Sequence, residues 1–330
     1  MDLSSIEKYH GKNRLVHAVS VCDKGNTDYE NIYSRVGKFN ITFNVLLSYF
    51  YIIEKAKNLD DTIKLLTNWR RLCTGKLLID SGIFTLMTKK GVTFGGNPNE
   101  HHLIQNSSYS QEISEYTLKY VDFLNNTREL WDYAIDMDAD LLLPVDYVDR
   151  LHIKTLELAK FRSEKMIRVY HSVRENVNEW WERLCKNHDY EWVGIESIGH
   201  RWNPQFYKPL ISIAHSQGKK VHILAASSKR FFERVEMDSA DSSSHLNGGR
   251  NMSIFSPWGE IHFGTYDDSR KHYSHLGCKE RDILMDKLYE AGFTWEDMFI
   301  RENRILYNIW YMSKHWDVPY VETPQSLRLF

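Results

Sequence analysis

The feature that most limits the fold is an alternation of short apolar runs with longer amphipathic helical patterns. This alternation is typical of βα units that build a parallel sheet. Seven apolar runs predict strands, at 44–52, 76–80, 141–146, 166–171, 191–196, 220–225 and 234–238. The helical patterns between them lie at 60–73, 111–125, 153–163, 173–186, 205–217 and 228–233. An eighth strand is ambiguous, near 260–263, so an eight-stranded barrel is inferred rather than counted.

The predicted fold class is α/β, a (β/α)8 TIM-type barrel with a C-terminal helical appendage. We place the catalytic barrel at residues 1–264 and the appendage at 265–330, where two helical patterns follow each other without a strand between them. The Gly/Asn/Ser-rich segment 91–110 follows the second predicted strand. It is expected to be a long loop at the C-terminal face of the barrel, where loops of this fold carry function.

Composition excludes several classes of protein. Hydrophobic residues make up 42% and charged residues 26%, which is typical of a globular chain rather than a disordered one. The net charge of −2 gives no global basic signature, so any nucleic-acid surface must be local. The longest apolar run, 45–53, is too short to span a bilayer. With four scattered cysteines and no apolar leader, the expected location is the cytoplasm, with no membrane partner.

Acidic or histidine side chains stand at the ends of four predicted strands. They are Asp80, Asp146, His171 and the pair Asp238 and Asp241. In a parallel barrel these strand ends meet at one face, and a carboxylate placed there is costly to bury without a partner or a function. Each residue also has an ordinary explanation, as a turn, a helix N-cap, a loop contact or a hydrogen-bonded core histidine. The functional interpretation depends on all four positions being topologically equivalent.

Two carboxylates on one barrel face suit chemistry at an anomeric carbon. One attacks C1′ and holds the sugar as a covalent intermediate, and the other moves a proton on the leaving and entering groups. The residues alone leave open whether the leaving group is a sugar or a base.

The motifs resemble the tRNA-guanine transglycosylase superfamily, most closely its phage-borne branch, the DNA 7-deazaguanine transglycosylases. The similarity runs from about residue 44 to the C-terminus. It is carried by the runs Asp80-Ser81-Gly82-Ile83-Phe84, Leu143-Pro144-Val145-Asp146, Val169-Tyr170-His171, Val193-Gly194-Ile195-Glu196 and 238–261, which includes Asp241 and Arg250.

The resemblance implies exchange of guanine in DNA for a 7-deazaguanine base of the preQ0 or preQ1 type. Asp241 would be the nucleophile, in preference to Asp238, and Asp80 the general acid and base. No redox or nucleotide cofactor is required. The residues expected to bind the substrate base are Asp146 on its Watson–Crick edge, Phe84 as a stacking platform, and Ser81, His171, Gly194 and Ile195 around it.

The expected partners are DNA and the free 7-deazaguanine base, in host cytoplasm if the gene is phage-borne. Phosphates would meet Arg230, Arg234 and Arg250, because these cations flank the site. The alternatives left open are the same exchange on tRNA, a barrel glycoside hydrolase with paired carboxylates, and a non-catalytic DNA-binding relative. Assembly as a homodimer is also left open.

The resemblance further implies a structural zinc, because the family binds one through cysteines and a distant histidine. Here the equivalent region offers His272, His275 and Cys278, with Glu302 at the distant position. Nitrogen, sulfur and carboxylate ligands are acceptable to zinc. A metal-free surface turn is the alternative.

Overall fold

The computed structural model describes residues 15–20, 29–92, 107–172, 174, 176–197, 203–226, 229–265 and 271–316. For residues 15–20, 29, 30, 107, 229 and 230 it describes only the backbone. The predicted loop 91–110 falls largely outside these residues.

Eight parallel strands form a closed barrel, which confirms the predicted fold class. Each strand pairs with the next along the chain, and β1 closes the ring by pairing with β8, with Val16 opposite Ala240. The strands are β1 Leu15–Ser20, β2 Asn44–Ser48, β3 Leu77–Asp80, β4 Tyr133–Ile135, β5 Met166–Tyr170, β6 Trp192–Ile195, β7 Lys220–Ile223 and β8 Ser239–Ser242.

Helices surround the barrel and bury one apolar face against it. In the third helix, for example, Asn58 caps the N-terminus by accepting a hydrogen bond from the backbone N–H of Asp61, while Leu66 and Trp69 are buried. The helices up to the end of the barrel are α1 Tyr29–Ser34, α2 Tyr49–Lys55, α3 Leu59–Leu72, α4 Ile83–Lys89, α5 Ser110–Asn126, α6 Val145–Leu158, α7 Val177–Lys186, α8 Pro204–Ser216, α9 Lys229–Phe232 and α10 Asn247–Arg250.

A β-hairpin and two helices follow the barrel. The hairpin consists of β9 Ser253–Ser256 and β10 Gly259–His262, and the helices are α11 Cys278–Glu290 and α12 Arg301–His315. Asn308 of α12 accepts a hydrogen bond from the backbone N–H of Phe255 (2.9 Å) and donates one to the carbonyl of Ser253 (3.1 Å). The last helix therefore packs on the hairpin, and the division of the chain at residue 264 stays a prediction.

Several predicted elements differ from the structure, among them the strand 44–52, which ends at Ser48, directly before helix α2. The fourth strand is the three-residue segment β4, not 141–146, because the backbone N–H groups of Leu142 and Leu143 both donate to the carbonyl of Ala139 in a turn. The eighth strand is Ser239–Ser242, since residues 234 and 235 still bond to Phe231 at the end of α9. The segment near 260–263 belongs to the hairpin, outside the barrel, and β1 was not predicted at all.

Candidate active site

The interior of the barrel changes from apolar to polar towards the carboxyl ends of its strands. Side chains along a strand alternate between the interior and the surrounding helices. The interior cluster consists of Leu46, Leu78, Ile135, Ile167, Val169 and Trp192, with Tyr133 and Leu224 packed on it. Two residues beyond Leu46, Leu78 and Val169, the alternation places Ser48, Asp80 and His171 on the same inward side. A polar layer therefore covers the apolar interior at the face where barrel enzymes carry out catalysis.

Asp80 ends β3 and is held by a tight turn. Its Oδ2 accepts a hydrogen bond from the backbone N–H of Gly82 (3.1 Å). Gly82 adopts φ +72°, and a Cβ there would lie 2.5 Å from Ser48 Oγ. Burial, together with the negative charge of Asp241, raises the pKa of Asp80 to about 7. The carboxyl group is therefore poised to exchange a proton near neutral pH.

Asp241 lies on β8 and is 8% exposed. Its Oδ1 accepts a hydrogen bond from the backbone N–H of Ala225 (2.8 Å) and lies 3.3 Å from Nε2 of the buried His222. Ala225 holds this position at φ +53°, a left-handed conformation that is unfavourable for a residue with a Cβ. Such a conformation is kept where surrounding structure enforces it, and here it directs an N–H group at the carboxylate.

A third carboxylate, Asp138, joins the site from the segment after β4. Asp138 is 3% exposed, and its Oδ1 accepts a hydrogen bond from Ser81 Oγ (3.0 Å). Burial and then the charge of Asp80 raise the pKa of Asp138 well above its ordinary value. Within the described residues, Oδ2 of Asp138 is buried without a hydrogen-bond partner. Three carboxyl groups, two of them buried and that of Asp80 partly buried, therefore lie in one region, and the pKa values of Asp80 and Asp138 are raised.

A fixed ion pair, between His171 and Glu196, borders these acids. Nδ1 of His171 lies 2.8 Å from Glu196 Oε2, and both side chains are buried. Burial alone would lower the pKa of His171, but the charges of Glu196, Asp140 and Asp138 raise it to about 9. Glu196 also accepts hydrogen bonds from the backbone N–H and the hydroxyl of Ser172. The pair is therefore an imidazolium and a carboxylate at neutral pH.

Arg174 neutralises the end of the acidic segment. Its side chain is 1% exposed and is ion-paired with Asp140 and Asp149. Its guanidinium group lies 4.2 Å from the ring centre of Trp180. Asp149 is also ion-paired with Arg168. The acids at this side of the barrel therefore have cationic partners of their own.

The first residue of the acidic segment, Asp136, faces the surrounding helices. Its Oδ2 lies 2.5 Å from Nδ1 of His152, whose Nε2 in turn lies 2.6 Å from the hydroxyl of Tyr190. Burial would raise the pKa of Asp136, but attraction to His152 and the hydrogen bond from it lower the pKa to about 2. Asp136 is thus a structural anion, in contrast to Asp80 and Asp138.

The structure brings together some of the residues predicted from sequence. Asp80, Ser81, His171 and Asp241 all lie in the polar layer or directly beneath it. Asp146 does not: it is in the first turn of α6, its side chain is 70% exposed, and it is paired with Arg150 (2.7 Å).

The other predicted substrate-binding residues lie on α4 and β6. Phe84 is half-buried in α4, against the main core. Gly194 faces the interior, since a Cβ there would lie 3.0 Å from Val169. Ile195 packs in the main core instead, because alternation along β6 turns it away from the interior.

Two of the predicted phosphate-binding cations, Arg234 and Arg250, are exposed and are not part of the polar layer. The side chain of the third, Arg230, lies outside the described residues. Asp238, the less favoured nucleophile, is hydrogen-bonded to His215 (2.8 Å) and to the backbone N–H of Val221. The nucleic-acid partner, the free 7-deazaguanine base and the homodimer stay predictions.

The predicted zinc site does not form, and this prediction is wrong. His272 is buried, with Nε2 2.9 Å from the carbonyl of Gly264 and Nδ1 2.7 Å from Ser274 Oγ. His275 and Cys278 are exposed. Among the residues that the structure describes, no group of three or more His, Cys, Asp or Glu side chains is placed to hold a metal ion. The retained spacing therefore reflects a turn before α11.

The acidic segment 136–140 was missed by sequence reasoning. Its three aspartates alternate directly after β4, but the run of leucines at 141–143 was taken for the strand, and the substrate-binding aspartate was therefore placed at Asp146, in the first turn of α6. Glu196, His222 and Arg174 were also not assigned a charge role. The usable signal was the alternation Asp136-Met137-Asp138-Ala139-Asp140 between two apolar runs.

Comparison with known proteins gives no family for this chain. No family model matches it, and no curated protein matches it. Several solved structures are similar to it, and two of them illustrate the likeness. One is a racemase from Streptomyces coelicolor A3(2) with bound magnesium, at 6% identity and a TM-score of 0.41, covering 74% of this chain and 55% of that one.

The second similar structure is an enolase protein from the environmental genome shotgun sequencing of the Sargasso Sea. It is 7% identical with a TM-score of 0.36, covering 72% of this chain and 56% of that one. The chain thus spans little more than half the length of the structures it matches. At these identities the likeness carries no information on the reaction or the ligand.

The identification of this chain as a transglycosylase is wrong. No family model and no curated protein matches this chain, so neither sequence comparison finds that family. Guanine exchange in phage DNA, the same exchange on tRNA and the glycoside hydrolase alternative are withdrawn with it. Asp146, which was predicted to bind the Watson–Crick edge of guanine, is exposed and lies apart from Asp80, Asp138 and Asp241.

Within the described part of the chain, no helix combines the length and the apolar character that crossing a membrane requires.

Proposed function

We propose that this protein is an enzyme that catalyses general acid–base chemistry on a small polar substrate at the mouth of its barrel. The observation that carries the proposal is the carboxyl group of Asp80, which is partly buried at the end of β3, is acted on by the charge of Asp241 and has a pKa of about 7. A carboxyl group that titrates near neutral pH suits proton transfer, and a shift of this size is typical of functional sites.

Asp80 and Asp241 have different tasks in this proposal. Asp80 takes a proton from the substrate when ionised and returns one when protonated. Asp241 accepts a hydrogen bond from the N–H of Ala225 and lies 3.3 Å from Nε2 of His222, and its negative charge contributes to the raised pKa of Asp80. Two carboxyl groups in unequal environments are a recurrent way to separate acid and base roles.

The surrounding groups support the same reaction. Ser81 fixes Asp138 through its hydroxyl, and Gly82 fixes Asp80 through its N–H. Because these contacts come from one turn, the two carboxyl groups keep a constant relative position while a proton moves. Such pre-organisation lowers the cost of reaching the transition state.

The test is a search for proton transfer with matched variants. The protein is incubated in D₂O with a pool of small polar metabolites, and mass spectrometry follows deuterium gain and compound loss. We expect at least one compound to react, with the rate reduced on the order of 100-fold or more in both Asp80→Asn and Asp241→Asn. Asp146→Asn, an exposed carboxyl group, is the control and should keep the wild-type rate.

Two outcomes would contradict the proposal. One is the absence of any compound that the wild-type protein converts or labels. The other is a reaction that Asp80→Asn leaves at the wild-type rate, which would place the chemistry elsewhere.

A further inference from the structure

Among the side chains that the structure describes, the acids around the polar layer outnumber their cationic partners. Glu196 is paired with His171, and Asp140 with Arg174. Asp149 is shared between Arg168 and Arg174, and Asp136 lies against His152 and Arg168. These cations are therefore already committed to other acids.

Three carboxyl groups remain, namely Asp80, Asp138 and Asp241. Among the residues whose side chains the structure describes, the basic group placed beside them is His222, with Nε2 3.3 Å from Asp241 Oδ1. Burying several carboxylates with fewer cations is unfavourable, so either protons or a bound cation must neutralise them. Burial and mutual repulsion raise the pKa values of Asp80 and Asp138, which favours their protonated forms in the free protein.

An independent observation indicates where a ligand would bind. Asp138 is 3% exposed, and its Oδ1 is satisfied by Ser81, but its Oδ2 has no hydrogen-bond partner among the described residues. The charges of both Asp80 and His171 act on this carboxyl group. A buried carboxylate oxygen left unpaired is unfavourable, and an N–H donor from a ligand would satisfy it.

We propose that the polar layer binds the cationic nitrogen group of an organic substrate, an amidinium, guanidinium or ammonium, with Asp138 as the principal acceptor and Asp80 and Asp241 completing the charge balance. This inference names the substrate class of the proposed acid–base site. It rests on the proposed function in that both use the same carboxyl groups. Such a group supplies both the positive charge and the N–H donors that the three carboxyl groups need.

Binding of a cation should release protons. The cation favours the ionised forms of Asp80 and Asp138, whose pKa values are raised in the free protein. Affinity should therefore rise with pH below about 7, by up to about tenfold per pH unit for each proton released. Calorimetry in two buffers with different ionisation enthalpies counts those protons directly.

The experiment compares cations with neutral compounds of the same shape. Benzamidine and acetamidine are titrated into the full-length protein beside benzamide and acetamide, with butylamine beside butanol. We expect the cations to bind at least tenfold more tightly than their neutral counterparts. Asp138→Asn should weaken cation binding by tenfold or more, whereas Asp146→Asn, an exposed carboxyl group, should leave it unchanged.

The inference fails if neutral compounds bind as tightly as cations, if affinity does not change with pH, or if no cation binds at millimolar concentration. It also fails if Asp138→Asn binds like the wild type. Thermal unfolding of each variant shows that it is folded, and Asp241→Asn provides a second test of the charge balance. These binding measurements need no turnover, so the two proposals can fail separately. Cation binding without proton transfer would refute only the proposed function. Proton transfer on neutral compounds alone would refute only this inference.

Discussion

Ser81 Oγ donates a 3.0 Å hydrogen bond to Asp138 Oδ1, and this bond joins the turn after β3 to the acidic segment after β4. Ser81 is fully buried, and Tyr116 of α5 donates a hydrogen bond to its carbonyl (2.8 Å). One turn thus contacts two carboxyl groups: the hydroxyl of Ser81 donates to Asp138, and the backbone N–H of Gly82 donates to Asp80. Small movements of this turn would change the separation of two carboxyl groups, so its rigidity matters for proton transfer.

Gly82→Ala should destabilise the protein more than a glycine substitution with the same backbone conformation. Gly82 has φ +72°, and an added Cβ would lie 2.5 Å from Ser48 Oγ and 2.9 Å from the backbone nitrogen of Phe50. Gly218 has φ +70° with no atom within 4 Å of an added Cβ, so Gly218→Ala reports the conformational strain alone. We expect about 1–2 kcal/mol for Gly218→Ala and roughly 3 kcal/mol or more for Gly82→Ala in urea unfolding. Equal losses would show that the turn has room to move.

Asp80→Asn should stabilise the protein at neutral pH. The pKa of Asp80 is about 7 in the folded protein against an ordinary 3.8, so between these values the folded state holds a proton that the unfolded state has lost. Wild-type stability therefore falls as pH rises through this window, and the asparagine variant lacks that fall. The variant should gain up to roughly 4 kcal/mol between about pH 4 and about pH 7.

The control for this measurement is Asp146→Asn. The pKa of Asp146 is lowered by its hydrogen bond with Arg150, so its effect on stability lies below the window in question. Denaturant unfolding at several pH values should give this variant the wild-type slope between about pH 4 and about pH 7. A wild-type slope in Asp80→Asn as well would mean that Asp80 titrates normally.

The barrel could be predicted because its evidence is local and repeated. Apolar runs of strand length alternate with helical patterns, and helices such as α3 and α5 lie within one or two residues of their predicted bounds. Asp80 was placed at the end of β3 from the same local evidence, whereas Asp241 was placed after a predicted strand at 234–238 and instead lies on β8, Ser239–Ser242. Chain order then places them at one face.

The rest of the site could not be predicted because it depends on distant partners. Strand β4 has only three residues, which is too few to show a pattern of alternation. The strand was therefore predicted at the leucines 141–143 instead. Whether the pKa of an aspartate is lowered or raised depends on the groups that surround it in the fold. Asp136 is paired with His152, sixteen residues away, whereas Asp138 faces Asp80, and one sequence motif contains both.

The turn before α11 should depend on His272 and not on Cys278. His272 is buried and bonded to the carbonyl of Gly264, so His272→Ala removes a hydrogen bond and leaves a buried acceptor unpaired. We expect a loss of about 1–3 kcal/mol in the free energy of unfolding. Cys278 is exposed at the first position of α11, so Cys278→Ser should change stability by less than about 0.5 kcal/mol. A large loss in the serine variant, reproduced by a zinc chelator on the wild type, would restore the metal site.

Arg174→Met should be among the most destabilising substitutions of a charged residue in this chain. Arg174 is ion-paired with Asp140, which is itself buried, and the methionine would leave that carboxylate without its cation. Removing one member of a buried ion pair costs about 3–5 kcal/mol, whereas an exposed pair contributes about 1 kcal/mol or less. Arg150→Met removes the exposed partner of Asp146 and is the matched control. Urea unfolding of the two variants at pH 7 measures the difference, which should be at least about 2 kcal/mol.

Similar losses in the two variants would mean that another group neutralises Asp140, namely His171, 3.8 Å away. The charge balance that leaves Asp80, Asp138 and Asp241 uncompensated would then need revision.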